Sequence, residues 1–326
     1  MEKRCLGVRN HSAVKNFFTK NKEIISMTLS VSFVAVVLFV GHWIPKSSFY
    51  GSDGLAQSMP VEPIPKSTTQ AGLSLSAGAA ISVFVDSSGN EYVLLEKDKD
   101  IRLPIASVTK LMTALVASEI FSPDEAITLS ENAVAVKGAS GKYIAGDSFV
   151  VKDATHALLI SSHNEIAVAM AEKIGTSEFV RRMNEKAEKL GLENTHFINP
   201  VGVDPDPGSE DINYSTASDI YKLLRYIFEN RADIFSILEK SSYEFTDITG
   251  VHKITIVTTN KLLDDSEVAL DVLGGKTGET PLAKQNLAVV SVAPPRGRII
   301  SVVLGSENSF GEIREILGYI EESFVW

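Results

Sequence analysis

Apolar and polar positions beyond residue 73 follow two different periods. Short apolar runs at 80–85 and 92–95 flank Ser87-Ser88-Gly89-Asn90, a pattern that predicts a β-hairpin. Apolar residues then recur every three or four positions, which predicts helices following Ser107 and at about 151–160, 165–174, 177–190 and 217–228. Strands return near 269–274, 286–292 and 298–304, before a closing helix at 312–324. This order predicts an α/β fold with an antiparallel sheet whose two edges come from opposite ends of the chain.

The N-terminal region has a different pattern. Residues 24–44 contain no Asp, Glu, Lys or Arg, and at about 1.5 Å per residue they span a hydrocarbon core of about 30 Å. Lys3, Arg4, Arg9, Lys15, Lys20 and Lys22 precede this run. The positive-inside rule therefore predicts a cytoplasmic tail at 1–23, a membrane anchor at 24–44, and delivery of the rest across the membrane. A cleaved signal peptide is the alternative, although the run is long and no A-x-A motif follows it.

The segment between this run and the first predicted strand is rich in Ser, Pro, Gly and Gln. Pro60, Pro63 and Pro65 are closely spaced, and no periodic apolar pattern is present. Such a composition predicts a flexible, extended linker at 45–72. The remaining residues, 73–326, then form one folded domain outside the membrane.

Charge and cysteine content exclude several function classes. The formal net charge of −10 argues against a nucleic-acid partner, which requires a concentrated basic face. Cys5 is the single cysteine, and the six histidines show no spacing typical of metal ligands. We therefore expect no metal site.

The first candidate motif is Ser107-Val108-Thr109-Lys110, an S-x-x-K. Positions i and i+3 of a helix share a face, so the lysine amine can reach the serine hydroxyl. A serine becomes a good nucleophile when a base removes its proton, and lysine serves as that base when its pKa is lowered. The motif alone is weak, because Ser12-Ala13-Val14-Lys15 repeats it in the predicted cytoplasmic tail.

The second candidate motif is Ser162-His163-Asn164, an S-x-N between two predicted helices. A second hydroxyl can relay a proton to a leaving amine, and an amide can orient a substrate or the lysine. The same pattern occurs at 88–90, 130–132 and 306–308, so only position distinguishes this copy.

The third candidate motif is Lys276-Thr277-Gly278 at the end of a predicted strand. The lysine supplies positive charge beside the nucleophile, the threonine hydroxyl can hold a carboxylate, and the glycine permits close approach to an edge strand.

The three motifs together have a recognisable order and spacing. The S-x-N follows the S-x-x-K by 55 residues, and the K-T-G follows 114 residues later. With their flanks at 104–113, 159–165 and 275–280, they resemble the low-molecular-weight penicillin-binding proteins of the serine D-alanyl-D-alanine carboxypeptidase family, of peptidase S11 type. The resemblance extends from about residue 80 to the C-terminus.

This resemblance implies a penicillin-binding protein/β-lactamase-like transpeptidase fold, with an antiparallel sheet flanked by helices and a mostly helical subdomain. It implies peptidoglycan stem peptide as substrate, β-lactams as inhibitors and no cofactor. The implied catalytic residues are Ser107 as acylated nucleophile, Lys110 as base and Ser162 as proton relay. The implied substrate-binding residues are Asn164, Lys276, Thr277, Gly278 and Glu279, with the backbone N–H groups of Ser107 and Glu279 forming the oxyanion hole.

Three positions depart from the family pattern. His163 replaces a common glycine and is expected to narrow the cleft or add a titrating group. Lys284 follows Ala283 where many relatives have an Ala-Gly pair. Glu307 lies near the position where some members use an arginine to hold the terminal carboxylate. A glutamate there is expected to weaken a carboxypeptidase-type preference, so endopeptidase activity on cross-links is an alternative.

Two other readings of the same fold stay open. A β-lactamase requires a glutamate on a loop after the S-x-N motif, but residues 197–202 at that distance contain none. A non-catalytic wall-binding or β-lactam-sensing module would use the same cleft without turnover. The sequence leaves the oligomeric state open.

Overall fold

The computed structural model describes residues 62–66, 73–206, 209–293 and 297–325. The predicted tail, the predicted anchor and most of the predicted linker lie outside these residues. Within the described ranges, no helix combines the length and the apolar character needed to cross a bilayer.

The described strands are numbered in chain order. They are β1 Ile64–Pro65, β2 Ala79–Asp86, β3 Glu91–Lys97, β4 Leu103–Pro104, β5 Ala126–Thr128, β6 Ser148–Val150, β7 Tyr214–Ser215, β8 Ser242–Thr246, β9 Lys253–Val257, β10 Val272–Thr280, β11 Lys284–Ala293, β12 Gly297–Ser306 and β13 Phe324–Val325. Five of them form one sheet in the order β10-β11-β12-β2-β3, and every neighbouring pair is antiparallel.

The described helices lie mostly between β3 and β8. They are α1 Lys110–Ile120, α2 Glu131–Val134, α3 Val151–Ile160, α4 Asn164–Glu172, α5 Thr176–Lys189, α6 Ala217–Asn230, α7 Ala232–Leu238 and α8 Ser309–Ser323. A 3₁₀ turn, Ala106–Thr109, directly precedes α1. The sheet is therefore interrupted by a long, mostly helical insertion.

The inner strands of the sheet are buried on both faces, and their alternate residues pack into two different cores. On β12, Ile300 and Val302 pack towards the helical insertion, whereas Ile299 and Val303 pack towards α8. Successive side chains of a strand point to opposite faces, so a strand covered on both sides is apolar along its whole length. This explains why 299–304 is apolar at every position except Ser301.

The predicted fold class is confirmed in its main features. The sheet edges are β3 and β10, which come from the two ends of the domain as expected. The strand predicted at 269–274 instead runs through Val272–Thr280, because the polar Lys-Thr-Gly segment continues the ladder with β11.

Several elements have no equivalent in the sequence prediction. Helix α7 and the β8–β9 hairpin are short, and their mixed polar pattern does not stand out. Strand β1, within the predicted linker, pairs with β13, and the N–H of Lys66 donates to the carbonyl of Ser323 at 2.7 Å. Part of the predicted linker is thus bound to the domain edge.

Candidate active site

The turn that carries Ser107 comes directly before α1. The serine lies within the 3₁₀ turn, and Lys110 is the first residue of α1. Lys110 Nζ lies 2.7 Å from Ser107 Oγ and donates to the carbonyl of Val201 at 3.0 Å. Ala106 has φ 46°, a conformation that non-glycine residues adopt at an energetic cost. The predicted contact between hydroxyl and amine is present in the structure.

Lys110 is fully buried, with an exposed fraction of 0%. Burial lowers the pKa of its amine well below the usual value, and the nearby positive charge of Lys276 lowers the pKa further. The negative charge of Glu165 acts in the opposite direction. Because desolvation disfavours the charged form, a neutral amine capable of accepting a proton becomes accessible.

A second buried lysine contacts the serine of the S-x-N motif. Lys276 donates to Ser162 Oγ at 2.9 Å and to the carbonyl of Thr277 at 2.9 Å. Burial lowers the pKa of Lys276 to about 7. Ser162 has φ 60°, so its hydroxyl is presented from a strained backbone position between α3 and α4. Each serine of the site is therefore hydrogen-bonded to a different buried lysine, Ser107 to Lys110 and Ser162 to Lys276.

The remaining residues of the third motif lie on the edge strand β10. Thr277 Oγ1 lies 2.6 Å from Thr259 Oγ1. A Cβ added to Gly278 would lie 2.8 Å from the carbonyl oxygen of Ile105 and 3.1 Å from the nitrogen of Ser107. The glycine is thus required by the approach of β10 to the nucleophile turn, in addition to any approach of substrate. The side chain of Glu279 is exposed.

Asn164 binds the protein's own backbone. Its Nδ2 donates to the carbonyls of Lys137 at 2.8 Å and Gly138 at 3.2 Å. The amide therefore fixes the 137–138 loop beside the cleft, a role that the S-x-N pattern does not indicate. Only its oxygen remains to contact a substrate or the lysines.

The candidate residues surround one open cleft of about 510 Å³. Six of the eight line it: Ser107, Ser162, Asn164, Thr277, Gly278 and Glu279. The other two, Lys110 and Lys276, lie below the surface and bond to the serines. Residues far apart in the chain thus meet in one solvent-accessible groove.

A larger cavity, of about 730 Å³, lies elsewhere among the described residues. It is bordered by the β2–β3 turn, Arg225 and Arg298, and it contains none of the candidate residues. The chemistry, and not the size, identifies the smaller cleft as the site.

Two buried polar residues support the site without lying in any motif. Asn213 accepts from the N–H groups of Ile198 and Asn199, and donates to Thr109 Oγ1 at 3.0 Å and the Asn199 carbonyl at 2.9 Å. It connects the loop after α5 to the nucleophile turn. Glu165 accepts from the backbone and hydroxyl of Ser140, which holds the loop next to Asn164. The sequence gives no signal for Asn213, whereas Glu165 directly follows the second motif.

The three departures from the family pattern have structural partners. His163 is 5% exposed, and its Nδ1 lies 2.7 Å from the hydroxyl of Tyr143. Burial lowers the pKa of His163 to about 4, so the ring is neutral at pH 7. It does not line the cleft, which contradicts the expectation that it narrows it. The other two departures, Lys284 and Glu307, form an ion pair at 2.7 Å.

The fold and the paired Ser–Lys contacts define a penicillin-binding type of protein. Penicillin-binding protein D2 from Listeria monocytogenes, solved in an ampicillin-bound form, has this fold with a TM-score of 0.61 and 28% sequence identity. The similarity covers 77% of this chain and 99% of that one.

The chain belongs to the peptidase S11 family, D-alanyl-D-alanine carboxypeptidase, which it matches over residues 65–308. It is 33% identical over 236 residues to D-alanyl-D-alanine carboxypeptidase DacD of Escherichia coli, covering 68% of this chain and 57% of the relative. It is 35% identical over 225 residues to the Bacillus subtilis carboxypeptidase DacF, covering 66% and 54%. The chain thus spans little more than half the length of these relatives. The family and fold expected from the motifs are confirmed.

Proposed function

We propose that this protein is a serine D-alanyl-D-alanine carboxypeptidase that removes the terminal D-alanine from peptidoglycan stem peptides. The observation that carries the proposal is the 2.7 Å contact between Ser107 Oγ and the fully buried Lys110. A buried amine with a lowered pKa is the base that an unactivated serine requires.

Acylation begins with transfer of the Ser107 hydroxyl proton to neutral Lys110. Ser107 Oγ then bonds to the carbonyl carbon of the penultimate D-alanine, and the carbonyl oxygen becomes an oxyanion. The N–H groups of Ser107 and Glu279 are the proposed donors to that oxyanion. Loss of one donor of this kind typically costs about 10²–10³ in rate.

Breakdown of this intermediate requires a proton on the leaving amine. Ser162 is suited to deliver it, because its hydroxyl lines the cleft and lies 2.9 Å from Lys276 Nζ. As the C–N bond breaks and D-alanine leaves, Ser162 regains from Lys110 the proton that Lys110 took from Ser107, so Lys110 is neutral again. Water then attacks the acyl-enzyme and its proton passes by way of Lys110 to Ser107 Oγ, which releases the shortened peptide and restores the Ser107 hydroxyl.

The same serine is the proposed target of β-lactams. A β-lactam ring is an amide, so its opening by Ser107 forms an ester without a departing amine. The ampicillin-bound form of the Listeria relative supports this assignment.

The first test is covalent labelling of the purified full-length chain with a fluorescent penicillin. We expect Ser107→Ala to abolish labelling and release of D-alanine from a pentapeptide ending in D-Ala-D-Ala. Ser12→Ala, in the other S-x-x-K sequence, is the matched control and should label normally. A labelled Ser107→Ala protein would exclude Ser107 as the nucleophile. A wild-type protein that labels but releases no D-alanine would favour a β-lactam-sensing module.

We also propose that residues 24–44 anchor the protein and that the catalytic domain faces the cell wall. The apolar run and the six preceding basic residues support this orientation. Cys5 is the only cysteine, so a membrane-impermeant thiol reagent tests it directly. In intact cells Cys5 should be protected, whereas a cysteine at the exposed Ser209 in a Ser209→Cys variant should react. Labelling of Cys5 without permeabilisation would refute the orientation.

A further inference from the structure

A third cavity, of about 520 Å³, lies away from the catalytic cleft and shares no lining residue with it. It lies between the end of α1, the start of α3, helix α7 and the start of β8. Lys110 begins α1 and Phe121 follows its last residue, so 11 residues of helix, or roughly 16 Å, separate the catalytic base from this cavity. The volume is typical of a small-molecule site.

The floor of this cavity is apolar. Phe121, Val151, Ile234 and Ile237 line it, and all four are buried members of the core that packs against the helical face of the sheet. Because the core holds these side chains in place, they form a fixed apolar surface. An apolar group placed on it loses contact with water, which favours binding.

One wall of the cavity is a pair of stacked rings. The ring centres of His156 and Tyr243 lie 3.8 Å apart, with an angle of 18° between the planes. The Tyr243 hydroxyl donates to Asp153 at 2.7 Å, and His156 Nδ1 donates to the Lys152 carbonyl at 2.8 Å. Burial lowers the pKa of His156, so its ring is neutral at pH 7. The stack is therefore an uncharged wall that is held in place before any ligand binds.

The rim of the cavity is positively charged. Lys152 on α3 and Lys240 after α7 are both exposed and line the cavity, and neither ammonium has an ion pair or a hydrogen bond with another described residue. Asp233, the one acidic side chain among the described lining residues, is already paired with Arg231 at 2.6 Å. The rim thus carries uncompensated positive charge in a chain whose formal net charge is −10. Such a rim attracts anions.

We propose that this cavity is a second binding site, and that it takes a small aromatic molecule bearing a carboxylate or a phosphate. The anionic group lies at Lys152 and Lys240, and the aromatic body lies on the apolar floor beside the ring stack. A bare anion would leave the floor wet, and a neutral aromatic molecule would leave both ammonium groups unused. Charge-assisted hydrogen bonds and contacts between aromatic rings are each favourable, so a ligand with both groups fits best. The site is independent of the chemistry at Ser107.

The test is photolabelling of the full-length chain, in a non-ionic detergent, with benzophenone-4-carboxylate. We expect saturable labelling of the peptides that contain Phe121 and Ile237, mapped by mass spectrometry. Lys152→Gln or Lys240→Gln should raise the half-saturating concentration about threefold, and the two together about tenfold, because each removes an exposed charge pair. Arginine at both positions should retain the wild-type value. Lys189→Gln, at the exposed end of α5, makes the same charge change and should have no effect.

Competition by unlabelled compounds separates the two possible anionic groups. Both 2-naphthoate and 2-naphthyl phosphate should displace the probe, and the stronger of the two identifies the group that the rim prefers. Neutral 2-naphthalenemethanol should compete weakly, and equally well in the wild type and in the glutamine variants. Inorganic phosphate that competes as well as the naphthyl compounds would refute the aromatic part of the proposal.

Two further results would overturn the site itself. One is an unchanged half-saturating concentration in the double glutamine variant, since the charged rim would then have no role. The other is loss of labelling after Ser107 has been acylated with penicillin, which would place the probe in the catalytic cleft. Ser236→Trp, which fills the cavity from an exposed position on α7, should abolish labelling at Phe121 while penicillin acylation stays normal.

Discussion

Gly278 lies where the edge strand β10 meets the turn that carries Ser107. A Cβ at this position would lie 2.8 Å from the carbonyl oxygen of Ile105, 3.0 Å from the nitrogen of Val108 and 3.1 Å from the nitrogen of Ser107. All three atoms belong to the backbone, so no flexible side chain can move aside. The change Gly278→Ala must therefore displace the turn, the strand or both.

The size of the effect follows from these distances. Ordinary contacts of a Cβ begin at 3.4 Å, so a displacement of roughly 0.5 Å relieves the closest one. Misplacement of reacting groups by about 1 Å can cost about 10² in rate, and the displaced Ser107 N–H is also a proposed oxyanion donor. We expect acylation by penicillin to slow by about 10- to 100-fold. The free energy of unfolding should fall by about 1–3 kcal/mol, as in other overpacked sites.

The assay is the second-order rate of labelling by a fluorescent penicillin, measured beside chemical denaturation. Gly318→Ala, within helix α8, adds the same methyl group where, apart from its chain neighbours and the backbone of its own helix, no heavy atom of the described residues lies within 4 Å. It should acylate at the wild-type rate and gain up to about 1 kcal/mol in stability, since alanine favours helix more than glycine does. A Gly278→Ala protein with normal labelling and normal stability would refute the argument that this glycine sets the distance between strand and nucleophile.

Four further predictions follow from the buried polar groups. Lys110→Arg keeps the charge but removes the neutral base, so penicillin acylation should fall by about 10³ or more in a stopped-flow assay. In the wild type, acylation should rise with pH as Lys110 loses its proton, and Lys276→Met should move this rise to higher pH, because it removes a charge that lowers the Lys110 pKa. Asn213→Ala removes four hydrogen bonds of a buried side chain and should cost roughly 3 kcal/mol of unfolding free energy in urea denaturation. His163 binds a proton at about pH 4 when folded and near 6.5 when unfolded, so stability should fall by up to about 3 kcal/mol as pH drops through that window, and His163→Gln should reduce the fall.

Each of these predictions has a result that contradicts it. Wild-type acylation by Lys110→Arg would remove the lysine base from the mechanism. An identical pH profile after Lys276→Met would mean that the two lysines are not coupled. Asn230→Ala, at an exposed helix end, is the control for Asn213→Ala, and equal stabilities of the two would exclude a bridging role for Asn213. An unchanged acid sensitivity of His163→Gln would assign that sensitivity to other groups.

Many helices and strands could be predicted from the local sequence, because the turns and apolar stripes that favour them involve residues close together in the chain. The β2–β3 hairpin and the amphipathic helices such as α6 were predicted because a turn or an apolar stripe is visible within a few residues. Strand β10 was misplaced by several residues, since its inward lysine and its glycines do not resemble a buried strand. The lysine and the glycines of β10 fit a buried strand because of contacts with residues more than a hundred positions away in the chain.

The candidate site divides in the same way. The sequence by itself determined which chemical groups are available, because S-x-x-K places a hydroxyl and an amine on one helical turn and the motif order indicates the family. Only the tertiary structure decided how readily the two lysine amines lose a proton, since burial of Lys110 and Lys276 lowers both pKa values. It also decided that His163 turns into the core. Desolvation and long-range contacts are properties of the packed chain, and no local pattern encodes them.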